Sequence, residues 1–265
     1  MIPLQGRFRF KMVLFLVFTG LLFSETGAAE ITTLSSAINK AGRQRMLTQR
    51  MLKAYAMIGI EVLTEKSRQQ LQASIRLYDR QLAELKNFAP NRKIQSSLDK
   101  VETLWIPYKK MLLQPVSREN AALLLETNDE LLAASHKVVM QLEEVSGTGF
   151  GRLVNISGRQ RMLSQRLAKF YMLRAWGFDN AEMRAESQRA KSEFKGAMQE
   201  LREAGENTPR IQQALEKASA QWELFEHGLE RNQQTLVPLI VAMTSEQVLV
   251  SMNRITGMYE ALSAR

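Results

Sequence analysis

Asn39-Lys40-Ala41-Gly42-Arg43-Gln44-Arg45-Met46-Leu47-Thr48-Gln49-Arg50 returns later in the chain as Asn155-Ile156-Ser157-Gly158-Arg159-Gln160-Arg161-Met162-Leu163-Ser164-Gln165-Arg166. Nine of the twelve positions are identical and a tenth exchanges Thr48 for Ser164. Lys53 and Tyr55 recur as Lys169 and Tyr171. Helices that only pack drift easily at apolar positions. Here the polar and cationic letters are the ones repeated, so packing alone explains the repeat poorly. A cationic, amide-rich segment in two copies points to an anion site built by two related halves.

On a helix, at about 100° per residue, Asn39, Arg43, Met46 and Arg50 share one stripe, and Gly42, Arg45 and Gln49 share the stripe beside it. A glycine inside a helix costs roughly 1 kcal/mol relative to alanine, a loss offset where it lets another backbone approach. Arg45 lies one turn beyond Gly42 and can serve the gap that the glycine opens. A guanidinium presents planar donors that match flat oxyanions. If Gly42 and Gly158 face each other, Arg45 and Arg161 approach the same point. Two such charges about 5 Å apart repel by roughly 3 kcal/mol at an effective dielectric near 20, and a bound monoanion relieves that repulsion. The motif helices are expected to lie antiparallel or steeply crossed at the centre of the interface; a ligand site needs the two arginines converging and partly accessible, whereas an adaptor needs only that they be paired with acids. Arg43, Arg50, Arg159 and Arg166 suit salt bridges to neighbouring helices. Met46-Leu47 and Met162-Leu163 suit the core. Asn39 and Asn155 suit either a polar helix start or a ligand donor.

The repeat extends outward. Ile94, Leu98, Trp105 and Tyr108 align with Ile211, Leu215, Trp222 and Phe225, and His136-Lys137-Val138 aligns with Asn253-Arg254-Ile255. A period near 116 residues is too long for a solenoid unit and suits a duplicated domain. Punctuation divides each copy into four helices. The first copy reads as helices over about 31–63, 67–87, 92–113 with a kink at Pro107, and one capped by Ser117 that ends near Val145. Gly147, Gly149 and Gly151 mark a flexible junction. In the second copy, breaks fall at 177–180 and 205–209, Pro209 stands at a first helical position after Thr208, and Pro238 begins the last helix. Leu71, Ile75, Tyr78, Leu82 and Leu85 recur at threes and fours, as one buried stripe requires. The expected fold is all-α: two tandem antiparallel four-helix bundles related by internal duplication, over residues 30–146 and 147–265.

Residues 1–29 read as a signal peptide. Arg7, Arg9 and Lys11 precede a twelve-residue apolar run, Met12 to Phe23, that is short for a membrane span, and Gly27-Ala28-Ala29 offers a cleavage site. The alternative is an uncleaved inner-membrane anchor. The net charge of +9 becomes +7 in the mature chain, which is expected to be periplasmic with no stable membrane insertion. A basic balance suits anionic partners, but export argues against nucleic acid. With no cysteine, two histidines in different copies and no nucleophile or phosphate-loop motif, neither an enzyme nor a metal or cofactor site is expected.

The pattern Asn-x-x-Gly-Arg-x-Arg-Met-x-x-Gln-Arg resembles the P-box of NarX-type nitrate/nitrite sensors. It is most similar to the PilJ-type domain at the N-terminus of type IV pili chemotaxis transducers, and the resemblance covers nearly the whole mature chain as two tandem domains. In the nitrate-binding members one anion lies between two P-box helices. The resemblance thus implies a ligand set of Arg45 and Arg161 with Gly42, Gly158, Asn39 and Asn155, and nitrate or nitrite as the ligand. It also implies a membrane receptor or transporter as partner, since this chain has no second span, HAMP segment, kinase or methyl-accepting domain. A structural or adaptor bundle that associates with a receptor or with pilus or transport machinery, and binds no small ligand, is the competing expectation.

Overall fold

The computed structural model describes residues 31–230 and 237–263; the expected signal peptide of residues 1–29 lies outside them. The described residues form eight helices and no strand: α1 Leu34–Gly59, α2 Thr64–Phe88, α3 Arg92–Leu112, α4 Arg118–Ser146, α5 Gly149–Ala175, α6 Ala181–Glu203, α7 Pro209–Glu230 and α8 Pro238–Ser263. The fold is all-α, two tandem four-helix bundles. No helix among the described residues is long and apolar enough to cross a membrane.

Short polar side chains start most of the helices. Thr33, Asn91, Ser117, Thr148 and Asn180 each accept a hydrogen bond from the backbone N–H three residues on, which satisfies a donor that the helix itself leaves unpaired. Two boundaries differ from those expected. The first helix stops at Gly59, because Glu61 and Leu63 take left-handed backbone (φ 57° and 48°), and the second starts at Thr64. The glycine-rich junction is not a flexible run: only Gly147 is left-handed (φ 59°), Thr148 caps α5, and Gly149 and Gly151 are already helical.

Each bundle pairs its first helix with its second and fourth, and its third with its fourth. The bundles join through α1 and α5, which pack on each other more extensively than any other pair. Burial follows from that position: 20 of the 26 residues of α1 are buried, against 8 of the 25 of α2. A helix that is buried all round cannot show a simple amphipathic stripe, which is why α1 and α5 bury arginine, lysine and amide side chains where α2 buries an apolar stripe with Ser67, Ser74 and Gln81 beside it.

The expectation that α1 and α5 lie antiparallel is corrected. Gly42 in the first half of α1 faces the Arg161 side chain, and Gly59 at the end of α1 faces Trp176 at the end of α5. The two helices therefore run in the same direction. The reason is topological: four antiparallel helices return the chain to the end where it began, and a two-residue junction restarts it there.

Trp176 seals the far end of this pair. A Cβ on Gly59 would meet its indole ring at 2.2–2.4 Å. Gly59→Ala is expected to lower stability by about 1–3 kcal/mol, the usual penalty for overpacking a core, read as a lower midpoint in urea. An unchanged midpoint would mean that the Trp176 ring turns aside freely.

Candidate functional site

The interface of α1 and α5 brings Asn39, Gly42, Arg45, Asn155, Gly158 and Arg161 to one place. The glycines make room for the guanidinium groups. A Cβ on Gly42 would lie 3.4 Å from Nη2 of both Arg45 and Arg161, and one on Gly158 would lie 3.0 Å from Nη2 of Arg161. Both arginines thus reach the same gap from opposite helices.

The Nη2 donors and the asparagines make crossed links between the copies. Arg45 Nη2 donates to Asn155 Oδ1 at 2.7 Å, and Arg161 Nη2 donates to the Asn39 backbone carbonyl at 3.2 Å. Asn39 in turn donates to Glu260 at 2.5 Å on α8, and Asn155 donates to Glu143 on α4. The remaining Nη1 donors turn to each arginine's own bundle: Arg45 to His136 Nδ1 at 3.0 Å, Arg161 to Asn253 Oδ1 at 2.9 Å. Two chains result, His136–Arg45–Asn155–Glu143 and Asn253–Arg161–Asn39–Glu260. Each ties a motif arginine to the last turns of α4 or α8.

Arg45 and Arg161 are both 0 % exposed, which differs from the expected partial access. His136 and Asn253 occupy the Nη1 donors, and Asn155 Oδ1 and the Asn39 carbonyl occupy Nη2. Among the described residues neither arginine has a carboxylate within ion-pair distance, and the Nε of each is buried with no acceptor. Burial pushes the Arg45 guanidinium down to about 9, with Arg159 adding to the shift and Glu143 opposing it. Arg161 is also lowered well below its ordinary value, by burial first and then by Arg43 and Arg45. Arginine does not surrender its proton near neutral pH. The unfavourable burial therefore stays in the folded state as electrostatic strain, and an anion placed between the two groups relieves it.

The neighbouring motif cations form ion pairs. Arg50 bonds Glu246 at 2.6 Å, Arg159 bonds Glu193 at 2.6 Å and Arg166 bonds Glu186 at 2.8 Å. Arg43 instead shares Asn253 Oδ1 with Arg161, at 3.5 Å. One turn past Arg50, Lys53 reaches Glu246 at 2.6 Å across the interface, and its counterpart Lys169 reaches Asn128 at 2.9 Å, also across it. Gln49 donates to the same Asn128 oxygen at 2.9 Å. Sequence reasoning missed His136, Asn253, Glu246 and Asn128 as partners of the motif. The available signal was positional, because His136 aligns with Asn253 in the outer part of the repeat.

Two stretches of the chain, residues 29–133 and 146–254, match the family model described as PilJ, Type IV pili methyl-accepting chemotaxis transducer N-term. Comparison with curated proteins and with solved structures found no match.

Proposed function

The chain belongs to the PilJ family, the N-terminal domain of type IV pili methyl-accepting chemotaxis transducers, in two tandem copies, and from that premise we propose that it is a periplasmic sensor of a small oxyanion, nitrate or nitrite, which reports to a separate membrane protein. The anion lies between α1 and α5. Its recognition rests on Arg45 and Arg161, with Gly42 and Gly158 leaving the space and Asn39 and Asn155 at its edge. The observation that carries the reading is a pair of convergent, fully buried guanidinium groups, each with an Nε donor that no protein acceptor meets. Nitrate is planar, singly charged and weakly basic, so water competes well with any one donor. Several donors in a desolvated gap are needed, and two forks supply them.

Binding also has a route outward. An anion that draws Arg45 and Arg161 inward loosens their hold on Asn155 and Asn39, the residues that bond Glu143 on α4 and Glu260 on α8. Those two helices end where α1 and α5 begin, so the change is delivered to one end of the molecule.

Full burial of the arginines and their bonds to the chain's own acceptors favour the competing reading, an adaptor bundle in which the motif only joins two halves. Isothermal titration of the protein with nitrate, nitrite, chloride and sulfate separates the two. One nitrate or nitrite per chain is the expected result, since the two copies make one site. No heat with any anion would support the adaptor, and two anions per chain would dismiss a shared site.

A further inference from the structure

The two halves of the site differ at one place that matters chemically. Where Arg161 Nη1 meets the amide oxygen of Asn253, Arg45 Nη1 meets Nδ1 of His136. An imidazole nitrogen accepts a hydrogen bond only without its proton, so the His136 ring in this arrangement is neutral and carries its hydrogen on Nε2. Asparagine does the same work for Arg161 and never titrates. One half of the site is thus sensitive to protons and the other is not.

The charges acting on His136 come from three other helices. Arg45 on α1 and Arg159 on α5 oppose its protonation, and Glu193 on α6 favours it weakly. On its own helix, Glu143 belongs to the same chain of bonds, turned toward Asn155. Burial acts first, then the two arginines, and together they push the imidazole down to about 4. Arg159 already has Glu193 as its partner at 2.6 Å. Arg45 has no carboxylate within ion-pair distance among the described residues, with Glu143 acting on it only from farther off, and its charge is the one that an anion in the gap would offset.

We propose that the site binds its anion together with a proton, taken up from solvent by His136 Nδ1 when the anion neutralises Arg45. The imidazole then changes from acceptor of the guanidinium to a second positive donor beside the anion. This inference rests on the anion-site reading above and adds its regulation: acidity of the compartment sets the sensitivity of the sensor.

The sign follows from linkage. In the ligand-free protein His136 is held well below its ordinary range. With the anion bound, the opposing charge of Arg45 is offset and the imidazole rises, while burial and Arg159 still hold it below its ordinary value near 6.5. A ligand that raises a group's pKa binds more tightly as pH falls through the window between the two values. Affinity is therefore flat above about pH 7, rises as pH falls below it, and levels off again near pH 4. Between pH 7.5 and pH 5 the gain is about threefold.

The probe is nitrate, which stays a monoanion throughout this range. Its affinity is measured by isothermal titration from pH 8 to pH 5, in pairs of buffers with different ionisation heats so that proton uptake is counted directly. Wild type is expected to tighten about threefold from pH 7.5 to pH 5 and to take up a substantial fraction of a proton per nitrate at the acid end. His136→Asn copies the residue of the second half; it should still bind nitrate and lose both the slope and the uptake. In wild type, the His136 imidazole followed by NMR should titrate near 4 without nitrate and clearly higher with it. A slope of the same size in His136→Asn would overturn the proposal, as would flat affinity in wild type, and either result leaves the anion site standing. Absence of nitrate binding at every pH would overturn the site and the proposal together.

Discussion

The Arg45→Met, Arg161→Met double variant is expected to bind no measurable nitrate and to unfold at or above the wild-type temperature. The two halves of this prediction have separate causes. Either single variant removes one charged hydrogen-bonding partner of the anion, a loss of about 1.5–3 kcal/mol or roughly ten- to a hundredfold in affinity. The double variant should bind no better than either single, because one fork alone cannot hold nitrate against water. Stability moves the other way. Each arginine is buried without a carboxylate, and methionine fills a similar length with no charge to desolvate. Replacing buried charge by apolar side chains of similar volume is often neutral or stabilising by about 1–4 kcal/mol. The acceptors left behind on His136 and Asn253 belong to half-buried residues and can turn to water, so their loss is softened. Nitrate titration and thermal melts by circular dichroism decide it. Unchanged nitrate affinity would remove these arginines from the site. A melting temperature far below wild type would make them packing residues, as the adaptor reading requires. Arg45→Lys should also bind poorly, since a point charge cannot reproduce the planar fork.

Glu246→Gln is expected to be the most destabilising conservative change at the interface, by about 3–5 kcal/mol at neutral pH, the usual penalty for stranding a buried charge. Its carboxylate receives Arg50 at 2.6 Å and Lys53 at 2.6 Å, and Lys53 is wholly buried. Burial alone would raise this carboxyl, but Arg50 and Lys53 outweigh it and hold Glu246 at about 2. A folded-state value below the unfolded one means that the contribution is present above about pH 4.5 and is lost as pH falls toward 2. Urea denaturation should therefore show a wide gap between wild type and Glu246→Gln at pH 7, closing as pH approaches 2. Asp129, the corresponding acid of the first copy, is half exposed and stands 3.4 Å from Arg166 and 3.9 Å from Lys169. Asp129→Asn should cost about 1 kcal/mol or less, as looser and more solvated pairs do. Equal losses in the two variants would contradict this asymmetry.

The helices could be read from the sequence because punctuation is a local matter: Asn91, Ser117, Asn180 and the prolines mark ends wherever the chain then goes. The motif's importance was legible too, since polar letters rarely repeat without a reason. The partner of each motif residue was not. Periodicity says which face of α1 carries Arg45, but not that the facing groups come from Asn155 in the other copy and His136 in its own. The common direction of α1 and α5 could have been deduced, because an even number of antiparallel helices brings the chain back to its starting end. Glycine spacing suggested close approach and was silent on direction. Full burial of Arg45 and Arg161 could not be deduced, since it depends on where Asn39, Asn155, His136 and Asn253 come to rest around them.

The two-residue junction at Gly147 and Thr148 has a consequence that reaches past geometry. A site shared by two separate identical subunits assembles only above some protein concentration, and every substitution in it appears twice, because the two halves are copies of one gene product. Here the halves arrive joined. Dilution cannot separate them, and the local concentration of one half around the other is fixed by the tether. The halves are also released from having to match. A histidine on one side and an asparagine on the other is an arrangement that no strict homodimer can hold, and fusion makes it heritable.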